Sequence, residues 1–129
     1  MDGARAGLAD DADIVFARRV ITRSADAGGE DHEALTEAVF DTRHREGAFM
    51  LDWQAHGLKY AIPAAYADEL AAGRTVIANV SRGIIEEAIA RYSPAIVLEV
   101  SASPDVLGRR LANRGRETEK DIHTRLNRE

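Results

Sequence analysis

The chain has 129 residues and a formal charge of −5, from 17 Lys and Arg against 22 Asp and Glu; this suits one compact domain and gives no support for wholesale binding to nucleic acid or an anionic membrane. Apolar residues make up 45% and charged residues 30%, a globular balance, and no apolar run approaches the ~20 residues of a bilayer span. Cysteine is absent, which excludes disulfides, thiolate metal sites and cysteine nucleophiles; a soluble, cytoplasmic single domain is expected.

In chain order, Ile14 to Thr22 is rich in β-branched and aromatic residues and predicts a strand. Ser24 to Asp31 is turn-forming. Thr36 to Glu46 predicts a helix stopped by Gly47, Ala48 to Trp53 a second strand, and Gly57 a turn. Pro63 to Ala72 predicts a short helix ended by Gly73, the usual asymmetry of helix termini. Thr75 to Val80 is nearly all apolar, as expected of a strand buried on both faces. Ser81 can cap a helix whose apolar stripe is Ile84, Ile85, Ala88, Ile89 and Tyr92. A strand at Ala95 to Val100 follows, then a helix opened by Ser103-Pro104 and closed by Gly115. Thr118 and Asp121 resemble a capping box for a last helix. Alternating strands and helices with buried strands predict a three-layer α/β domain.

Only Lys59 and Lys120 are lysine; the other 15 cations are arginine. Arginine grips phosphate through a planar fork of donors, so the placement of these residues matters. On a strand, Arg19, Ile21 and Arg23 share one face while Arg18 takes the other. The pattern fits either a bidentate phosphate clamp entering a glycine-containing loop or a solvated edge strand studded with arginine. Arg110 and Arg114, four apart, lie on one helical face. With Arg109, Arg116 and Arg125 they would neutralise a polyphosphate, or form an exposed basic helix paired with Glu117 and Glu119.

His32, His44, His56 and His123 show no HxxxH or HxH spacing and read as lone histidines, so no metal site is expected. No G-x-S-x-G elbow supports serine catalysis. No Gly-Lys pair occurs anywhere in the chain, so there is no Walker A loop.

The blocks VFARRVITRSADAGGEDHEALTEAVF, FMLDWQAHGLKYAIP, VIANVSRGIIEEAIARY and RRLANRGRETEKDIHTRL, in order over residues 14–128, resemble the ribose 1,5-bisphosphate phosphokinases of phosphonate catabolism, a guanylate-kinase-like group. The resemblance implies a P-loop kinase-like parallel sheet with helices on both sides, a substrate-binding region at about 14–66 and a lid at about 108–125. It also implies conversion of ribose 1,5-bisphosphate and ATP, with Mg²⁺, to 5-phosphoribosyl 1-diphosphate and ADP. No nucleic-acid or membrane partner is implied.

Carried over by position, Thr22-Arg23 matches the pair that holds the acceptor phosphate, and Arg19 stands where guanylate kinases have serine. Gly29-Glu30-Asp31-His32 matches the loop that ends in a phosphate-binding tyrosine. Asp52 takes the place of the base-reading glutamate and Tyr60 that of a second phosphate-binding tyrosine. An acidic pair of guanylate kinases falls at Asn79 and Ser81. Arg110, Arg114 and Arg125 match lid arginines that contact ATP, with Arg114 and Arg125 expected to act on the transferring phosphoryl group. In this reading Arg19 and Arg23 bind acceptor phosphates with His32 and Tyr60 as supporting donors, Asp52 and Asn79 orient ribose hydroxyls, and Glu30 and Ser81 complete the substrate-binding residues.

The P-loop of that family precedes the residues matching Asp2–Asp11, which read as the tail of a helix, and the family continues past Glu129. A truncated domain is therefore expected. The alternative to a kinase is a non-catalytic guanylate-kinase-like binding module, or an inactive fragment.

Overall fold

A computed structural model of the chain describes residues 2–27 and 30–101. The chain divides into two units, Met1–Ala95 and Ile96–Glu129, and the elements below belong to the first. They are α1 (Asp2–Gly7), β1 (Ile14–Phe16), β2 (Val20–Ile21), a 3-10 turn at Ala25–Ala27, β3 (Glu33–Ala34), α2 (Glu37–Arg45), β4 (Phe49–Ala55), β5 (Leu58–Pro63), α3 (Ala65–Ala71), β6 (Thr75–Ile77), a 3-10 turn at Arg82–Ile84, and α4 (Ile85–Arg91).

The strand expected over residues 14–22 is two strands in two sheets. β1 pairs in parallel with β6, and the Ala17 amide extends that ladder to the Ile77 carbonyl at 2.9 Å. The next amide, of Arg18, donates to the Tyr66 hydroxyl at 2.9 Å. The Arg19 carbonyl then accepts from the Glu33 amide at 2.9 Å, which starts the parallel pairing of β2 with β3. Three residues thus carry the chain from one sheet to the other, with each successive amide or carbonyl satisfied by a new partner.

The second sheet has the order β3-β2-β5-β4. Its β4–β5 hairpin turns at His56 (φ 52°) and Gly57 (φ 71°), two successive positive φ values that match the right-handed twist of the strands. The Thr22 hydroxyl accepts from the Lys59 amide at 2.9 Å, and the Thr22 amide donates to the Lys59 carbonyl at 3.0 Å, prolonging the β2–β5 ladder. Side chains alternate across this sheet. Ile21, Leu51, Trp53, Tyr60 and Ile62 enter one core cluster, which Ile84 joins. Val20 and Ala61 enter another with Phe40 of α2.

Thr36 caps α2 by accepting from the Val39 amide at 3.3 Å, and Gly47 follows with φ 72°, as the sequence predicts. α3 begins at Ala65 instead of Pro63, because Pro63 closes β5 opposite Phe49. Gly73, at φ 82°, ends that helix turn as expected.

β6 is shorter and less buried than its apolar run predicts. It stops at Ile77, Thr75 is exposed, and Val76 and Ile77 are half-buried, since β1 is its only neighbour among the described strands. Ser81 makes no capping bond to the turn it precedes. Ile89 is 41% exposed, outside the expected stripe; Ile84 lies in a 3-10 turn, whose three residues per turn shift the phase of the helix after it. On α4, the hydrogen bond from Arg91 to Glu87 at 2.9 Å raises the pKa of the guanidinium above its usual value.

Residues 95–100 do not form the expected strand. Ile96 and Val100 are 88% and 93% exposed. A continuous apolar strand needs hydrogen-bonded neighbours on its edges to be stable. The helices expected beyond Ser103, the lid at about 108–125, and Arg109, Arg110, Arg114, Arg116, His123 and Arg125 lie outside the described residues.

Candidate functional site

Four of the residues singled out in the sequence form a connected stack on one face of the second sheet. The Arg19 guanidinium lies over the Tyr60 ring, 5.3 Å from its centroid, a distance at which the cation is attracted to the ring face. Tyr60 is directly opposite Trp53 in the β4–β5 register, and the two rings stack at 5.5 Å with an interplanar angle of 7°. The indole Nε1 then donates to Ser81 Oγ at 2.7 Å. On the far side of Arg19, Glu30 accepts its fork: Nε donates to Oε2 at 2.9 Å and the terminal nitrogen Nη2 to Oε1. Arg19 is nearly buried, with 11% of its side chain exposed, against 32% for Glu30.

Arg23 and His32 make a second group at the same loop. His32 is buried. Its Nδ1 lies 3.0 Å from the Glu30 carbonyl and its Nε2 3.2 Å from the Arg23 carbonyl, so the ring clasps the two ends of the loop together. An Arg23 guanidinium nitrogen approaches His32 Nδ1 at 3.5 Å. Arg18, on the other side of the chain, reaches Asp31 at 2.9 Å and the His32 carbonyl at 3.2 Å. Gly28 and Gly29, within this loop, lie outside the described residues. The result is three guanidiniums around a loop that carries three carboxylates of its own, Asp26, Glu30 and Asp31, of which Glu30 pairs with Arg19 and Asp31 with Arg18.

Asp52 does not belong to this group. It sits opposite Ala61 on β4–β5, on the face that α2 covers, with Oδ1 3.3 Å from His44 Nδ1 of α2. There it lines a shallow cavity of about 150 Å³ with Phe40, Asp41, His44, Trp53, Gln54 and Lys59. Tyr60 pairs with Trp53, the strand neighbour of Asp52, so the side chains of Tyr60 and Asp52 point to opposite faces of the sheet. Trp53 occupies the face expected for Asp52. Asn79 is exposed in the segment after β6, two positions before Ser81.

Sequence reasoning missed Trp53 and the Arg18–Asp31 pair. Alternation on β4 could have found the first, since Trp53 is one position from Asp52 and must take the other face. Among the described residues no group of three or more His, Asp or Glu side chains is placed to hold a metal ion, and no helix is long and apolar enough to cross a membrane.

No family model matches the sequence. Curated proteins do. The ribose 1,5-bisphosphate phosphokinase PhnN of Brucella melitensis is 47% identical over 129 residues, covering 100% of this chain and 67% of its own length. The protein of the same description from Agrobacterium fabrum is 50% identical over 128 residues, covering 99% of this chain and 70% of its own. A bifunctional ribose 1,5-bisphosphokinase-thymidine phosphorylase of Cupriavidus necator is 50% identical over 126 residues, 98% of this chain but 21% of that protein. The chain thus spans about two thirds of the stand-alone relatives and about a fifth of the bifunctional one. The crystal structure of guanylate kinase from Anaplasma phagocytophilum matches with a TM-score of 0.67 at 17% identity, over 90% of this chain and 71% of that one. This likeness establishes the α/β, guanylate-kinase-like fold expected from the sequence.

Proposed function

We propose, from the premise that this chain belongs to the ribose 1,5-bisphosphate phosphokinase family, that it carries the acceptor-binding part of a kinase that phosphorylates ribose 1,5-bisphosphate to 5-phosphoribosyl 1-diphosphate. The observation that carries this reading is the gathering of Arg19, Arg23, His32 and Tyr60 around one loop. Such a group suits an acceptor with two phosphates, since each guanidinium fork matches a phosphate edge.

In this reaction a 1-phosphate oxygen of the acceptor attacks the γ-phosphorus of ATP. The bond from that phosphorus to the β,γ-bridging oxygen breaks, ADP leaves, and a diphosphate forms at C1. No proton moves between the ionised reactants. Phosphoryl transfer therefore asks the protein mainly for alignment and charge neutralisation. Arg19 and Arg23 hold acceptor phosphate, Tyr60 supports Arg19 from beneath, and His32 fixes the loop that presents them. Ser81 holds the indole that backs Tyr60, and Asn79 stands nearby in sequence to meet a sugar hydroxyl. The resemblance assigns Arg110, Arg114 and Arg125, which lie outside the described residues, to the ATP phosphates. Mg²⁺, when bound with nucleotide, would neutralise phosphate charge.

A second reading is a module that binds the sugar bisphosphate without turning over ATP. Calorimetry with each ligand separates them. Both readings expect ribose 1,5-bisphosphate to bind, and ADP release when ATP is also present assigns the chain to the kinase. Bisphosphate binding supports the acceptor-binding reading whether or not ATP binds to this chain, and its absence refutes both readings.

A further inference from the structure

We propose that Glu30 determines which acceptors the site admits, because its carboxylate occupies the seat on Arg19 that an acceptor phosphate takes. The inference rests on the acceptor-binding reading above and adds a role to it. Glu30 is a competitor for Arg19, and acceptor binding is an exchange of carboxylate for phosphate.

Three features of the pair support this. The contact uses the Nε and Nη2 edge of the guanidinium on both carboxylate oxygens, the same two-pronged geometry in which arginine binds a phosphate. The two partners differ in freedom. Arg19 is 11% exposed and lies over Tyr60, which itself rests on Trp53, whereas Glu30 is 32% exposed. When the pair opens, the carboxylate has water to enter and the guanidinium stays in place. Finally, a nearly buried guanidinium stripped of its anion is strongly unfavourable. A neutral sugar cannot replace Glu30, a singly charged group replaces it evenly, and a phosphate dianion replaces it with a gain in charge. Glu30 thereby sets a threshold of acceptor charge.

The test is calorimetry on the full chain, on Glu30→Gln, Glu30→Ala and Arg19→Ala, and on the double variant combining Arg19→Ala with Glu30→Ala, with inorganic phosphate and ribose 1,5-bisphosphate as separate probes and thermal unfolding as the check on folding. Both Glu30 variants are expected to bind inorganic phosphate about tenfold more tightly than the parent chain, a gain of the size of one partly exposed charge-assisted bond, and Arg19→Ala is expected to abolish that gain in the double variant. Unchanged or weaker phosphate binding in Glu30→Gln overturns the proposal and makes Glu30 a residue that merely positions Arg19. Tighter phosphate binding without any binding of the bisphosphate upholds the exchange at Arg19 while refuting the acceptor reading.

Discussion

Trp53 and Ser81, 28 residues apart in sequence, are joined by a 2.7 Å hydrogen bond from the indole Nε1 to the serine hydroxyl. The bond fastens β4 to the segment that follows β6, and it takes Ser81 away from the helix cap its sequence context suggests. Trp53 is 9% exposed, so an indole N–H without this partner has little water to turn to. Trp53→Phe and Ser81→Ala are each expected to lower stability by about 1 kcal/mol. A double-mutant cycle in urea should show the two losses to be non-additive; additive losses would mean the bond contributes nothing.

Asp52→Asn is expected to leave the affinity for ribose 1,5-bisphosphate within about twofold of the parent chain, because surface pairs such as His44–Asp52 have little energetic weight and Asp52 faces α2. Calorimetry checks this. A large loss of affinity would return Asp52 to the acceptor site and contradict the division of the sheet into two faces.

Thr36→Ala should cost about 1 kcal/mol, the usual worth of an N-cap, since Thr36 Oγ1 accepts from the Val39 amide. The same change at Thr42, whose hydroxyl donates back to the Ala38 carbonyl within the helix, should cost less. Thermal unfolding of the two variants compares them directly.

Gly57→Ala is expected to destabilise by about 1 kcal/mol. Its φ of 71° lies in the left-handed region, and no neighbouring atom lies within 4 Å of an added Cβ. The whole penalty is therefore conformational. A denaturation midpoint equal to that of the parent chain would show that the hairpin relaxes without strain.

Elements bounded by local chemistry were legible in the sequence: Thr36 and Gly47 bracket α2, and Gly73 ends the turn after α3, because caps and positive-φ glycines act within a few residues. Features set by distant partners were not. The break at Ala17–Arg19 depends on Ile77, Tyr66 and Glu33, none of them near in sequence. β5 mixes Lys59 among apolar residues and ends in Pro63, so its alternation shows only once β2 and β4 are known to flank it. The apolar run at residues 95–100 has strand composition, yet composition supplies no neighbour. In the site, the arginines and the loop could be picked out by type, whereas the pairing of Arg19 with Glu30 and the displacement of Asp52 to the opposite face are matters of register.

Trp53 is the sole tryptophan of the chain and stacks on the ring beneath Arg19, so its fluorescence reports on the proposed acceptor site. Titrating ribose 1,5-bisphosphate into the parent chain should give a saturable change in emission, and Arg19→Ala should shift its midpoint at least about tenfold toward higher ligand, the loss expected for a charge-assisted contact. Equal midpoints in the two proteins, or no saturable change in the parent chain, would contradict the assignment of Arg19 to the acceptor phosphate.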